Sequence, residues 1–535
     1  MNKLTWGLLF LITLLGGFLR LYNLSNSPPS LNWDEAALGY NAYSVWQTGR
    51  DEYKVAYPIF TRSFDEYKSM IPAYLMIPSI KIFGLNEFGV RFPSALAGTL
   101  SIILIFFLAK YFFRDNKVAL FSSLFFAVEP WTILFSRTYH EANWSLFFVL
   151  LGILLLLHSL KKPTLLALSI IPLGVSMYSY NASKILVPLI IALFIYKRMD
   201  FLKKVSGKLK FISLFLLLVF TTPFIYLALA GQVFARLGPT NILVLWPKEG
   251  PIYYRAFLFV WDIIGRYFAY FSPANLFLRE PTEPGTIVSG NSVFFAFEFL
   301  PIFVGLIFIL KEAKRYKELL VLILLAPIPA VVTWNWFQPG RVMVLLSMFS
   351  ILAGFGVFKI IDFTTNAFKK SIKPHLSKAI LISAMVFYVS LSAFYVFDST
   401  QVLVPIRDNG SWQPGFRETV PAVIAVFDKY QKVVVDTPHT QPHIFYLFYG
   451  KYSPARYHQE LDLEKIGTPR KSYDFGKFEF RKIDWQKDGN LANTLFVGSD
   501  DNLPEAEIKT SDKVNFIQEV WDWRELKVAK LVGTK

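Results

Sequence analysis

Residues 89–110 read GVRFPSALAGTLSIILIFFLAK. Arg91 stands near one end, Lys110 at the other, and nothing charged lies between them. A helix rising about 1.5 Å per residue over this run crosses a hydrocarbon core of about 30 Å, so the stretch reads as a membrane span. Similar runs follow at 118–135, 143–160, 164–179, 183–197, 211–230, 293–310, 317–334, 341–362 and 378–397, and one precedes at 5–22, about eleven in all. The first apolar stretch, 6–19, follows Lys3 and has the length of a secretory signal. It runs into Arg20 without a small-residue cleavage pattern and is read as a retained helix. The chain of 535 residues is 54% hydrophobic with 53 Phe, the composition of a protein whose solvent is the bilayer. It holds no Cys, which excludes disulfides and thiolate metal sites.

Lys and Arg outnumber Asp and Glu by 55 to 39, for a net charge of +16. Such an excess suits nucleic acid, anionic lipid or membrane topology, and its distribution decides among them. The charges gather as Lys110, Arg114 and Lys117, as Lys161 and Lys162, and as the run 197–210. Lys311, Lys314, Arg315 and Lys317 follow, then Lys369, Lys370, Lys373 and Lys378. These clusters fall on every second connection between spans, the pattern of cytoplasmic loops, so no nucleic-acid partner is expected. With an odd number of spans the N-terminus lies inside and the C-terminus outside, in a cell (plasma) membrane.

Three larger pieces fall on the outer side: 23–88, 231–292 and 398–535. The stretches 36–47 and 71–83 in the first are too polar or too short to span and read as interfacial helices. The tail changes character: 432–436 (KVVVD), 478–483 and 494–497 read as strands, with helical patterns at 417–430 and 443–449 between them. The expected organisation is a membrane domain over 1–397, with outside loops 23–88 and 231–292, and a small α/β extracytoplasmic domain over 398–535.

Candidate chemistry concentrates at the outer face. Trp33-Asp34-Glu35 precedes a helical run, where the plainer reading of the acids is a helix cap. Phe64-Asp65-Glu66-Tyr67-Lys68 supplies a cation beside further acids, and a solvated loop cluster is its plainer reading. Between two spans, 136–143 reads SRTYHEAN, placing Arg137 and Glu141 where charge is costly. An Arg137 to Glu141 ion pair at helical spacing is the plainer account there. Six His in the chain form no zinc pattern, so no metal site is expected, although Glu66 with a distant His is compatible with a divalent ion.

The ordered set RLYNLSNSPPSLNWDEA, KSMIPAYLMIPSIKIFG, GVRFPSALAGTL and SRTYHEANW resembles the GT-C membrane glycosyltransferases, more narrowly the protein O-mannosyltransferase and aminoarabinose transferase relatives of glycosyltransferase family 39. The resemblance is strongest over 15–145 and continues more weakly through 178–189 (YSYNASKILVPL) and 336–343 (WFQPGRVM). It implies an α-helical polytopic GT-C architecture and an inverting transfer of a mannose-like or other sugar from a polyprenyl-phosphate donor. The implied acceptor is a hydroxyl on protein, glycan or lipid. Asp34 then matches the base, with Glu35 beside it, and Glu141 stands where relatives carry a second acid, often Asp. Lys68, Arg137 and Arg91 match basic positions near the donor phosphate or the loop scaffold. No cofactor is required by this scheme. The rival, a transporter or flippase of lipid-linked sugars, calls for internal repeats and midplane ionisable residues, which the sequence does not offer.

Overall fold

The structure is a computed structural model and describes residues 2–63, 66–231, 242–281, 290–367, 374–407, 412–437, 441–461 and 473–535. Asp65 of the acidic cluster and Lys369, Lys370 and Lys373 of the last basic loop lie outside the described residues. In chain order, helices α1 (Lys3–Leu21) and α2 (Trp33–Thr48) lead to a hairpin of β1 (Phe60–Ser63) and β2 (Glu66–Ser69). Next come α3 (Ile71–Phe83), α4 (Glu87–Phe113), α5 (Asn116–Val128), α6 (Pro130–Arg137) and α7 (Glu141–Ser159). They are followed by α8 (Thr164–Met177), α9 (Ser183–Lys197), α10 (Met199–Lys204), α11 (Gly207–Leu229) and α12 (Ile252–Ala269). The helical part closes with α13 (Phe299–Lys311), α14 (Lys317–Leu325), α15 (Ile328–Val331), α16 (Met343–Ala367) and α17 (Pro374–Asp398).

By internal packing the chain divides into two compact units, one of residues 1–24 and 94–408, the other of 25–93 and 409–535. The first outside loop, expected within the 1–397 domain, therefore counts with the tail.

In the first unit the apolar helices pack around a long core that includes Phe106, Phe126, Leu150 and Leu345, each essentially inaccessible. Among the described residues, six helices are long and apolar enough to cross a membrane, seven if the bent pair α5 and α6 counts as one. The other four expected spans form α8, α9, α13 and the pair α14 and α15. At 14, 15 and 13 residues, α8, α9 and α13 reach only about 20 Å. Internal Pro172 and Pro188 and the break at Pro327 add to the difference. Residues of four of the five basic loops line a single cavity.

The bend of 56° between α5 and α6 has a local cause. Pro130 has no N–H for the carbonyl of Phe126, and the break frees Ala127 as well. The guanidinium of Arg20, fully buried, donates to both carbonyls (3.2 and 2.9 Å), to Gly16 O (2.9 Å) and to the Thr132 hydroxyl (2.7 Å). A Cβ on Gly98 of α4 would come within 2.0 Å of Ser136 Oγ on α6, so glycine allows this close approach.

In the second unit, five strands stand in the order β4 (Phe478–Phe480), β3 (Lys432–Val435), β5 (Thr494–Gly498), β7 (Lys527–Thr534), β6 (Val514–Trp521). The first three are parallel, and β7 runs antiparallel to both β5 and β6. The expected strands at 432–436, 478–483 and 494–497 are present, while the terminal hairpin of β6 and β7 was not read from the sequence. Helices α18 (Phe416–Val426), α19 (His443–Tyr449) and α20 (Pro454–Glu460) lie in the tail, with two short helices at Trp485–Asp488 and Glu505–Thr510. Helix α19 packs against α2, where a Cβ on Gly39 would lie 2.8 Å from both Phe448 and Val90.

Removing the Arg20 head group leaves the buried Ala127 carbonyl without its donor, at about 1–3 kcal/mol. Arg20→Leu is expected to lower the thermal midpoint of the detergent-purified protein by several degrees, and an unchanged midpoint would contradict this role.

Candidate active site

The N-terminus of α2 is built by reciprocal capping. Asn32 Oδ1 accepts from the Glu35 amide (2.8 Å), and the Glu35 carboxylate accepts from the Asn32 amide (3.2 Å). The cap is thus Asn32, not Asp34, which occupies the second helical position. Glu35 is wholly buried and takes two further bonds from Arg91, from Nε and Nη2 at 3.0 Å each. Arg91 also donates to the carbonyls of Pro28 (2.8 Å) and Ser30, and its guanidinium lies 5.9 Å from the ring centre of the buried Trp412. Trp412 is therefore a core residue here. Both charges are out of water, which is tolerable because the pair is bidentate and its remaining atoms are bonded.

The tail completes this scaffold. The Gln413 side-chain carbonyl accepts from the Trp33 amide (2.8 Å). Arg417 donates to the carbonyls of Ser25 (3.2 Å) and Pro29 (3.4 Å), and the Tyr449 hydroxyl donates to Glu87 (3.1 Å). Segment 25–32 is so held from both sides, and α2 starts at a defined place.

Asp34, one residue before Glu35, points elsewhere. Its side chain is 45% exposed and forms an ion pair with Lys68, whose own side chain is only 5% exposed. Lys68 sits on β2, in register with Thr61 of β1. A half-exposed carboxylate beside a sheltered ammonium is an arrangement that can accept a proton and neutralise an anion. The Glu66 side chain lies outside the described residues.

A group that the sequence reading did not single out lies near this lysine. Glu52 is buried, accepts from Asn41 Nδ2 (2.8 Å), and returns its own amide to Asn41 Oδ1 (2.9 Å). Burial pushes its carboxyl up to about 8, and neighbouring Asp51 adds to the rise, while the Asn41 bond and the charge of Lys68 oppose it. Asp51 is itself raised by burial despite bonds from Thr61 (2.8 Å), Val55 (2.8 Å) and Tyr53 (3.0 Å). The signal available in sequence was the acidic pair Asp51-Glu52 after Gly49-Arg50, which reads as an ordinary solvated turn.

The remaining two candidates belong to the other unit. Arg137 ends α6 and is buried, donating to the carbonyls of Leu19 (2.9 Å), Tyr22 (2.8 Å) and Asn23 (3.4 Å), so it caps the last turn of α1. Glu141 opens α7 after the N-cap His140, whose Nδ1 accepts from Ala142 N (3.1 Å). The chain leaves the helix between Arg137 and Glu141, so the helical spacing assumed for an ion pair does not exist. Among the described residues, no group of three or more His, Asp or Glu is gathered as a metal site.

The fold and these residues define a class: a multi-pass helical membrane protein with an acid–cation pair on the connection after its first helix. Residues 67–226 match the family model described as Dolichyl-phosphate-mannose-protein mannosyltransferase. Lys68, Arg91, Arg137 and Glu141 fall inside that match, Asp34 and Glu35 before it. Over 194 residues the chain is 30% identical to "Putative mannosyltransferase YycA" of Bacillus subtilis (strain 168). That match spans 32% of this chain and 28% of the relative, so most of the relative's length is not covered. The solved structure of ArnT from Cupriavidus metallidurans in the apo state aligns with a TM-score of 0.53 at 12% identity, over 99% of this chain and 97% of ArnT. ArnT bound to undecaprenyl phosphate aligns with the same TM-score and identity, over 99% and 98%. At such identity the likeness is one of fold. The chain thus shares the GT-C fold of ArnT, and its residues 67–226 are similar to the mannosyltransferase family.

Two outcomes check the site. Because the folded Glu52 carboxyl titrates above its ordinary value of 4.5, the stability tied to its neutral form is full below that value and is lost as pH rises through about 8. The wild-type thermal midpoint is expected to fall from pH 5 to pH 8, and Glu52→Gln to fall less over the same window. Arg91→Lys cannot reproduce the fork to Glu35 and is expected to cost about 3 kcal/mol in a denaturation midpoint. A variant with unchanged stability and a raised donor KM would instead make Arg91 a donor-binding residue.

Proposed function

We propose that the protein is an inverting glycosyltransferase that moves a sugar from a polyprenyl-phosphate carrier to a hydroxyl acceptor, with Asp34 as the base. The observation that carries this reading is the Asp34–Lys68 pair: a carboxylate with open access to an incoming hydroxyl, beside a cation suited to a phosphate. In the transfer, the bond from the anomeric carbon to the carrier phosphate oxygen breaks and that oxygen keeps the electron pair. The acceptor oxygen bonds to the same carbon from the opposite face, and its proton passes to Asp34. Lys68 exchanges its hold on Asp34 for the phosphate, which frees the carboxylate and stabilises the leaving group in one movement. ArnT's structure with undecaprenyl phosphate supports a lipid-phosphate donor for this fold.

Glu35 and Arg91 take the role of scaffold in this reading, and Arg137 holds the end of α1. Glu141 is proposed to face the acceptor. The sugar is a hexose or pentose and the acceptor a protein, glycan or lipid. The basic loops support an inside N-terminus and an outside C-terminus, and the site is proposed to work on the outer face of a cell membrane. No metal enters the scheme, and transfer is expected to survive EDTA.

The test is transfer from radiolabelled polyprenyl-phosphate mannose by the purified protein incubated with envelope extract, followed by locating the label. Asp34→Asn is expected to reduce transfer at least about 100-fold while keeping the wild-type thermal midpoint. Wild-type turnover by that variant would remove Asp34 from the mechanism.

A further inference from the structure

The cavity on which the basic loops converge has a volume of about 800 Å3. Six cations line it: Lys110, Arg114, Lys161, Arg198, Arg315 and Lys317. They come from the ends of α4, α7 and α9 and from the turn before α14, so separate parts of the sequence bring charge to one place. Its acid is Glu318, which already holds Arg198 in an ion pair and accepts from the Tyr111 hydroxyl (3.4 Å). Arg315 pairs with Glu312 (3.1 Å) on its own turn. Among the described residues, Lys110, Arg114, Lys161 and Lys317 have no ion pair.

Topology alone explains why these loops are basic, since the positive-inside rule asks only for charge on one side. It does not ask that the charges line one concavity, where they repel one another. Lys203, Lys204, Lys208 and Lys210 meet the same rule while exposed and away from the cavity. A cleft lined by one sign concentrates its potential and draws a counter-ion of matching size and charge. Phe107 and Phe112 line the same cavity, so an apolar surface adjoins the cationic one.

We infer that this cavity is a binding site for a phosphate-bearing anion, either the head group of a membrane lipid lying along Phe107 and Phe112 or a soluble phosphate compound. Lys110, Arg114, Lys161 and Lys317 supply the charge, and the Arg198–Glu318–Tyr111 contacts fix the frame. The site shares no residue with the Asp34–Lys68 pair and does not depend on the transfer chemistry.

The experiment uses the full chain in a neutral detergent, with two probes titrated separately and in competition: dioleoylphosphatidylglycerol followed by native mass spectrometry, and inorganic pyrophosphate followed by calorimetry. The cavity variant carries Lys110→Gln, Arg114→Gln and Lys317→Gln, and the control carries Lys203→Gln, Lys204→Gln and Lys208→Gln. At least tenfold weaker binding by the cavity variant, with the control at wild-type affinity, is the expected result. Loss confined to phosphatidylglycerol assigns the site to a lipid head group, and loss confined to pyrophosphate assigns it to a soluble ligand. Equal binding by both variants, equal loss in both, or no saturable binding of either probe by the wild type would overturn the inference. If the triple cavity variant does not fold, Lys110→Gln and Lys317→Gln singly, at about threefold each, replace it.

Discussion

Two charges removed from water decide where Asp34 stands. The Glu35 carboxylate meets Arg91 through two bonds of 3.0 Å and at the same time closes the cap on Asn32, while Arg91 reaches back to the carbonyls of Pro28 and Ser30. Desolvating such a pair costs several kcal/mol per ion, and the cost is offset only when nearly every donor and acceptor is engaged. That condition ties the loop 25–32, the start of α2 and the start of α4 into one bonded network. Successive helical residues differ by about 100° in direction. Once Glu35 is fixed inward, Asp34 is turned toward the open side, and the same network that buries one acid exposes the other.

The membrane unit solves a related problem with the same residue type. Where α5 breaks before Pro130, and where α1 ends, carbonyl groups lack intrahelical partners. Arg20 meets the first set and Arg137 the second. Arginine suits this work because its five donors fan out in a plane and its charge persists when buried. Three of the arginines in the conspicuous stretches of this chain thus bind backbone carbonyls, a task that hydropathy and motif spacing do not distinguish from binding phosphate.

The sequence made some of this plain and concealed the rest. Long uninterrupted runs such as 89–110 translate directly into α4, because hydrophobic length is the whole of the signal. Runs such as 317–334 are equally apolar, yet Pro327 and Pro329 divide them, and hydropathy averages over that division. In the tail, the all-apolar centres of β3 and β5 announce buried parallel strands, whereas β6 mixes exposed and half-buried positions and lacks a clean alternation. At the site, Asp34 and Lys68 were legible as types of residue near one face. Glu52 was not, because only tertiary packing separates a buried acid from a solvated one.

The distribution of cations bears on how the proposed transfer is arranged. Arg91 and Arg137, matched to donor positions by resemblance alone, are committed to carbonyls and, for Arg91, to Glu35, and releasing Arg91 would unmake the scaffold that presents Asp34. Lys68 stands differently. Its partner Asp34 is a carboxylate with 45% of its side-chain surface exposed, so an arriving phosphate can compete for the ammonium from the open side. Glu52 adds a second influence on the same lysine, because the charge of Lys68 opposes the rise that burial gives the Glu52 carboxyl. In the proposed transfer the charge that this lysine offers a donor is therefore shared with two acids, the exposed one that it pairs with and the buried one near it.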